Sequence, residues 1–335
     1  MGDIDVNMVR YFKTILLVVL ALSISCGRRA EQGRIGAEIK TTRDFPMPTP
    51  PSMMEDPREI IEYMAMHYWD QFVPNAKEGS SSQYLCDSSH VSGVSKDDLE
   101  QNLANYIYIL ENVPLKQAQK SVATLAGRLQ SHESADTVSN MFETFVALMD
   151  KYMYDPNSPL RNEDLYSPFA ASLSQSEHLD EATKDRYRHI AAMCRLNETG
   201  TKAADFRFSD KRGKEYSLYG IKAENIILFF SNPGCGSCLD IINSLKDNPK
   251  VSQMLSDGRL AVLNIYIDED LQAWKEYMPV YPEEWYNGFD PYLVIRADKI
   301  YNVRAIPSLY LLDADKTVIL KDTTPEKLFN ILDIL

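Results

Sequence analysis

The stretch Ser231-Asn232-Pro233-Gly234-Cys235-Gly236-Ser237-Cys238 joins an apolar run, residues 226–230, to a pattern with helical spacing. Residues i and i+3 lie side by side in a helix, so Cys235 and Cys238 can form a disulfide in its first turn. The unpaired N–H groups and the positive dipole end of a helix N-terminus favour a thiolate on Cys235. The stretch therefore predicts a buried strand, a sharp turn and a helix that carries a redox-active dithiol.

Length and charge limit the class of protein. A chain of 335 residues is expected to form about two domains. Its 44% apolar content is enough for real hydrophobic cores. The formal net charge of −13 argues against nucleic acid as a partner, because phosphate binding needs a basic face.

Residues 1–26 have the pattern of a secretory signal peptide. Arg10 and Lys13 precede an apolar segment, residues 14–24, that is too short to span a bilayer comfortably. The segment ends in Ser25-Cys26, which resembles a bacterial lipobox, and the resemblance implies that Cys26 becomes the lipidated first residue of the mature protein. The alternative is an ordinary cleaved signal with an incidental cysteine.

Residues 27–55 are rich in glycine and proline and have no apolar period, which predicts an extended tether. The basic residues Arg28 and Arg29 follow Cys26, and they favour the periplasmic face of a membrane in the bacterial cell envelope over surface export. Export places the chain in an oxidising compartment, where a dithiol can cycle through disulfide exchange.

Residues 56–197 are predicted to form an all-α domain of unknown task. Asp56-Pro57 and the capping pattern of residues 95–98 mark helix starts. The methionine and aromatic stripes at helical spacing are interpreted as core. The five histidines lie in this half at scattered spacings and suggest no metal site. Cys86 and Cys194 are either two separate thiols or a structural disulfide, and sequence alone leaves both open.

Residues 198–335 alternate strands with helices and predict a C-terminal α/β domain. A structural zinc site would need two more ligands beside Cys235 and Cys238, and this segment has no other cysteine and no histidine. We therefore predict no metal and no cofactor. Pro307 comes just before a strand that is predicted to lie in the centre of the sheet, where proline is unusual. A cis Ile306–Pro307 bond would explain it and would present the Ile306 backbone to an extended substrate.

These motifs resemble the thioredoxin fold, in its branch of membrane-anchored bacterial thiol-disulfide oxidoreductases. The matching pieces begin at Gly200 and continue through the hairpin turn at residues 210–214, the dithiol, Trp274-x-x-Tyr277 and the run from Tyr301 to Asp313. The helical half resembles a domain of unknown function that precedes such thioredoxin-like domains in Bacteroidetes-type lipoproteins.

The resemblance implies roles for four positions. Cys235 is the expected nucleophile, Cys238 the resolving thiol, and Pro307 the cis-proline of a substrate groove to which Ile306 also belongs. Gly234, also beside this groove, stands where the family usually has tryptophan, which removes an aromatic wall. The dipeptide between the cysteines, Gly236-Ser237, lacks the family's frequent proline.

A further departure is Phe229, which occupies the position of thioredoxin's buried acid. Proton transfer from Cys238 must then use water or another acid, and Asp268 and Glu269, at the end of the next strand, are the candidate acids.

Three hypotheses follow for function. The first is an enzyme, a thiol-disulfide oxidoreductase that is lipid-anchored to a membrane, faces the periplasm and exchanges disulfides with exported proteins and a redox partner protein. The second is a binding or assembly lipoprotein, with the thioredoxin-like domain as a non-catalytic scaffold. The third, a peroxiredoxin, is disfavoured because Asn232 stands where threonine or serine is usual. The direction of electron flow stays open.

Overall fold

The computed structural model describes residues 40–74 and 83–335. The predicted signal peptide, the lipidation candidate Cys26 and residues 27–39 of the predicted tether lie outside these residues. Within the described ranges, no helix combines the length and apolarity that crossing a bilayer requires.

Helices dominate the N-terminal half, as the apolar periodicity predicts. They are α1 (Pro57–His67), α2 (Lys96–Leu110), α3 (Leu115–Ala135), α4 (Met141–Met149), α5 (Glu163–Leu173) and α6 (Glu181–Cys194). Side-chain caps mark the start of four of them, α1, α2, α5 and α6. The Asp56 carboxylate accepts a hydrogen bond from the N–H of Arg58 at 2.8 Å, and Ser95 Oγ accepts one from the N–H of Asp98 at 3.1 Å. Both starts agree with the predicted capping positions.

Two local features of this half are not visible as sequence patterns. Strands β1 (His90–Val91) and β2 (Val94–Ser95) form a short antiparallel hairpin. The segment Asp150–Tyr154 continues α4 as a π-helical turn. Helical periodicity cannot distinguish such a turn from an α-helix, because the apolar spacing differs too little over five residues.

An aromatic cluster forms the centre of the helical core. Trp69 packs edge-on against Phe145 at 5.0 Å and against Tyr106 at 5.5 Å between ring centroids. The sequence predicts one core stripe that begins at Val138 and continues through Phe145 and Met149. Phe145 and Met149 are fully buried, but the prediction is wrong for Val138, which is exposed because α4 begins only at Met141. The aromatic rings pack at the centre of this core together with aliphatic side chains from all six helices.

Part of the stretch predicted as a tether packs on the helical half. The N–H of Arg43 donates to Gly93 O at 2.8 Å, and Thr41 pairs with Tyr84. The ring of Phe45 lies 5.4 Å from that of Trp69. Residues 41–45 are therefore anchored on this core, which their sequence does not reveal because a single aromatic residue has no period.

The C-terminal domain is built on a seven-stranded mixed sheet in the order β4-β3-β7-β6-β5-β8-β9. The strands are β3 (Arg207–Ser209), β4 (Glu215–Ser217), β5 (Asn225–Phe230), β6 (Leu260–Tyr266), β7 (Tyr286–Phe289), β8 (Ser308–Asp313) and β9 (Val318–Leu320). β5 pairs parallel with β6 and antiparallel with β8. A helical N-terminal half followed by a thioredoxin-like α/β domain confirms the predicted fold class.

Strand β7 is harder to see in the sequence, because Asn287 and Gly288 interrupt its apolar alternation. A Cβ atom at Gly288 would come within 2.5 Å of the Phe208 ring. Glycine at this position therefore permits the close approach of β3 to β7.

Four helices complete this domain. They are α7 (Gly236–Asp247), α8 (Pro249–Ser256), α9 (Leu271–Tyr277) and α10 (Pro325–Ile334). α7, α8, α9 and α10 pack on the sheet face that carries Ile227 and Phe229. The opposite face, with Ile226, Leu228 and Phe230, packs against Phe206, Phe208 and Tyr301. Alternate residues of β5 thus supply both cores, which is why its side chains are all apolar from 226 to 230.

A buried group of charged side chains joins the helical half to the sheet domain. Lys321 Nζ, just after β9, lies 3.3 Å from Glu163 Oε2 and 3.2 Å from Asp164 Oδ1 at the start of α5. It also donates to the backbone carbonyl of Cys194 at 2.5 Å. Burial works against the charge of Lys321, but Glu163 and Asp164 outweigh it and raise its pKa. Lys321 therefore remains charged in the folded protein.

We predict that Lys321→Ala destabilises the protein by about 3–5 kcal/mol, because it leaves buried Asp164 without its cation and buried Glu163 with Arg304 alone. Urea unfolding followed by circular dichroism measures this loss. Arg188→Ala is the matched control. It removes an ion pair with Asp185 in which both side chains are exposed, so its cost should be below about 1 kcal/mol. Equal losses in the two variants would contradict a structural role for the buried cluster.

Candidate functional site

The dithiol lies at the junction of β5 and α7. Cys235 is the N-cap of α7, and its Sγ accepts a hydrogen bond from the N–H of Cys238 at 3.2 Å. Gly234 has φ +72°, in the left-handed region that side chains disfavour, and it is exposed with open space where a Cβ would lie. Backbone conformation rather than crowding therefore accounts for glycine at this position.

Cys235 and Cys238 form a disulfide, with their Cα atoms 5.2 Å apart. Cys238 is almost fully buried, with 1% of its surface exposed, whereas Cys235 is only partly buried. An incoming thiolate can therefore reach the sulfur of Cys235 but not that of Cys238. This asymmetry is what the assignment of Cys235 as nucleophile and Cys238 as resolving thiol requires.

The Pro307 loop enters the sheet at the end where the dithiol turn leaves it. The Ile306–Pro307 peptide bond is cis, which confirms the prediction for this bond. Ser308 begins β8 and pairs with Phe230, the last residue of β5, so the register brings the start of β8 to the end of β5. Cys235 and Ile306 pack against the same apolar cluster. The structure thus gathers the predicted residues Cys235, Cys238, Ile306 and Pro307 at one end of the sheet.

The position of thioredoxin's buried acid is apolar here. Phe229 is fully buried and belongs to the same hydrophobic cluster as Cys238. Of the two alternative acids, Glu269 is exposed, whereas Asp268 accepts a hydrogen bond from Asn232 Nδ2 at 2.6 Å. Arg296 binds the other oxygen of Asp268, also at 2.6 Å. Asp268 is therefore linked to the turn that carries the dithiol, through Asn232.

A chain of buried polar side chains also runs along the sheet from the turn. Ser231 Oγ donates to Asn264 Oδ1 at 2.5 Å, and Asn264 Nδ2 donates to Asn287 Oδ1 at 3.0 Å. Burial raises the pKa of Tyr281, which faces Ser231 and Asn264, so its hydroxyl stays protonated. Motif matching does not find these residues, because they come from two strands and two loops with no shared spacing.

The remaining cysteines of the described residues are not paired. Cys86 is partly buried and Cys194 is fully buried, and both are free thiols. The disulfide between Cys86 and Cys194 that the sequence left open is therefore not formed. In the described ranges, no three histidine, cysteine or acidic side chains are grouped to hold a metal ion.

The fold and the dithiol together define a thioredoxin-like domain that follows a helical domain along the chain. Residues 25–197 match the sequence model of a family described as a domain of unknown function (DUF5106). The match spans more than half of the chain, and the protein belongs to this family. No curated protein matches the chain.

Among solved structures, a thioredoxin-like protein from Bacteroides caccae is 35% identical, with a TM-score of 0.73, over 88% of this chain and 99% of that one. The C-terminal domain of an uncharacterized protein from Bacteroides fragilis is 43% identical, with a TM-score of 0.40, over 41% of this chain and 99% of its own. A domain of a possible thiol-disulfide isomerase from Cytophaga hutchinsonii is 23% identical, with a TM-score of 0.35, over 41% of this chain and 91% of its own. The first likeness extends over both domains.

We predict that alkylation distinguishes the thiols of the reduced, folded protein. Burial raises the pKa of Cys194 to about 12, so its thiolate is scarce as well as shielded. Iodoacetamide at mildly alkaline pH should modify Cys194 about 100-fold more slowly than Cys86 or Cys235, as measured by peptide mass spectrometry. Cys86 is the internal control, because it is partly exposed and takes no part in the disulfide. Rapid labelling of Cys194 without denaturant would contradict this prediction.

Proposed function

We propose that the protein is an extracytoplasmic thiol-disulfide oxidoreductase that exchanges disulfides with exported proteins through Cys235 and Cys238. The observation that carries the proposal is the arrangement of the dithiol. A partly exposed sulfur at a helix N-terminus, a buried partner sulfur three residues later and a cis-proline loop lie at the same end of the sheet. The likeness to a protein named thioredoxin-like supports it.

The reaction proceeds by two exchanges. In the reduced protein, the Cys235 thiolate attacks one sulfur of a substrate disulfide, forms a mixed disulfide and releases the other substrate sulfur as a thiolate. Cys238 then loses its proton and attacks Cys235, so that the Cys235–Cys238 disulfide closes and the substrate leaves as a dithiol. Two electrons pass from protein to substrate. The same steps in reverse oxidise a dithiol, and a redox partner protein restores the starting state.

The groove beside Pro307 supplies the substrate contact in this proposal. The Ile306 backbone, at the same end of the sheet as Cys235, would pair with an extended peptide segment. Gly234 offers no side chain to close the groove over the disulfide. A groove without this wall would suit unfolded or extended substrates better than one defined small molecule.

We predict that Cys238→Ala traps mixed disulfides through Cys235. Without the resolving thiol, the first exchange is completed and the second is not. Non-reducing gels and mass spectrometry of envelope extracts should show adducts that reductant releases. The double variant Cys235→Ala/Cys238→Ala is the control and should form none. If the single variant also gives no adducts, disulfide exchange with exported proteins is the wrong function.

The activity of the same site can be assayed directly as the rate of insulin disulfide reduction, with dithiothreitol as the electron source. Wild-type protein should accelerate it, and Cys235→Ser should reduce the rate to that without protein. If wild type and Cys235→Ser are both inactive, the result would favour the alternative function, a binding or assembly protein whose helical domain binds a partner.

The proposed location is the bacterial cell envelope, with the protein anchored through lipidated Cys26 and facing the periplasm. We predict that Cys26→Ser moves the protein from the membrane to the soluble fraction, because two or more acyl chains are needed for stable anchoring. Cell fractionation and labelling with radioactive palmitate measure the change. Retention of the variant in the membrane fraction at the wild-type level would rule out this anchor.

A further inference from the structure

The loop that leads to Pro307 is held by a side chain from the helical half. Asn302 Nδ2 donates to Glu163 Oε1 at 2.6 Å, and Arg304 Nε lies 2.6 Å from the same oxygen. Glu163 is the first residue of α5, and only 1% of its side chain is exposed. One buried carboxylate oxygen therefore binds the loop at two points, three and five residues before Pro307.

A second set of contacts holds the other end of this loop. Ser308 Oγ, next to Pro307, donates to Asp322 Oδ1 at 2.7 Å, and Arg304 Nη2 lies 3.1 Å from Asp322 Oδ2. Arg161, from the helical half, donates to the backbone carbonyls of Asp322 and Thr323 at 3.0 and 2.9 Å. Residues before and after Pro307 are thus connected to the helical half, directly or through Asp322.

The Arg304 side chain is the centre of these contacts. It lies between the carboxylates of Glu163 and Asp322, and its guanidinium stacks 4.4 Å from the ring centroid of Tyr154 in the π-helical turn. Only 9% of its side chain is exposed. Two of its three partners belong to the helical half.

Side-chain contacts are what fix the loop. Among the described residues, no backbone–backbone hydrogen bond involves residues 302–306. A loop without such bonds takes its conformation from its side-chain anchors, and buried charged hydrogen bonds are the strongest of these. Loss of Glu163 would leave Asn302 unpaired and Arg304 with one carboxylate fewer.

We propose that Glu163 is a positioning residue for the Pro307 loop, so that the helical domain completes the disulfide-exchange groove. This inference rests on the proposed function for its effect on substrates. Glu163 does not touch the reacting sulfurs. It acts by holding Asn302 and Arg304, and through them the Ile306 backbone against which a substrate would pair. The helical half is in this sense a part of the redox site.

The test uses three variants of the full chain. Glu163→Leu removes the charge and the hydrogen-bond acceptor, and Glu163→Gln keeps an acceptor oxygen without the charge. Asp164→Asn is the matched control. Asp164 is the next residue of α5 and equally buried, but it contacts Lys321 and the N–H of Thr199 instead of the Pro307 loop. Circular dichroism establishes that each variant is folded.

The first measurement does not depend on activity. Trypsin cuts after arginine, and mass spectrometry can follow cleavage at the Arg304–Ala305 bond in the folded protein. Glu163→Leu should increase this cleavage about 10-fold, because Arg304 loses one of its buried partners, with Glu163→Gln between it and wild type. Asp164→Asn should stay within about twofold of wild type. If Glu163→Leu fails to fold, Glu163→Gln decides the outcome by itself.

The second measurement distinguishes an effect on substrate binding from an effect on the reaction at the sulfurs. With a peptide disulfide as substrate, Glu163→Leu should raise KM about 10-fold and leave kcat within about twofold, since substrate binding is lost and the sulfurs are unchanged. The reaction of the reduced variant with the small disulfide dithiobis(nitrobenzoate), which needs no groove, should match that of wild type.

The outcomes distinguish the two proposals. Unchanged cleavage in folded Glu163 variants overturns the positioning role. Increased cleavage with unchanged KM in an active enzyme also overturns it, since the loop then has no part in binding. Increased cleavage together with a wild-type protein inactive on every peptide disulfide supports the anchoring of the loop by Glu163 and rejects the proposed function.

Discussion

The pairing of strand β5 on both sides is the constraint on which the redox site depends. Its six residues are all buried, with β6 along one edge and β8 along the other. Because β5 and β8 are antiparallel, the end of β5 meets the start of β8. The turn to the dithiol and the Pro307 loop follow from those two points. Any shift in this register would separate Cys235 from Ile306 and would move the apolar side chains of β5 to the wrong faces.

A second constraint connects the two domains. Three acidic and three basic side chains meet where α5 approaches the sheet: Glu163, Asp164, Asp322, Arg161, Arg304 and Lys321. Charges this well buried are costly unless each has its partner, so they favour one relative arrangement over many. An apolar contact of the same size would tolerate sliding. The ion cluster instead fixes the helical half against the loop before Pro307, which is a reason for two domains of one chain to pack so closely.

Much of the C-terminal domain could be predicted from sequence because its signals are local. A fully buried strand that is apolar from 226 to 230, a dithiol at helical spacing and a proline before a central strand each have few structural explanations. Helix starts at Asp56 and Ser95 are equally local, since one side chain caps one backbone N–H. β7 could not be predicted, because Asn287 and Gly288 make sense only beside Asn264 and Phe208.

The interdomain contacts could not be predicted for a related reason. Glu163 and Arg304 are separated by 141 residues, and nothing in the sequence distinguishes either of them from an exposed charged residue. Their burial depends on how two domains dock, which neither periodicity nor spacing encodes. Phe45 was missed in the same way, since a lone aromatic residue in a proline-rich stretch has no local sign that it packs on Trp69.

The two departures from the thioredoxin pattern act on different steps of the proposed reaction. Gly234 stands at the exposed turn, so its effect is on substrate access to Cys235, the first exchange. Phe229 is buried with Cys238 in an apolar cluster, so its effect is on the second exchange. No carboxylate on the same strand can take the proton that Cys238 loses in that exchange. Asp268, which follows β6, is linked to the turn by Asn232, and it is held by Arg296 as well. Release of the substrate, more than attack upon it, is therefore the step in which this chain must differ from a thioredoxin with a buried acid.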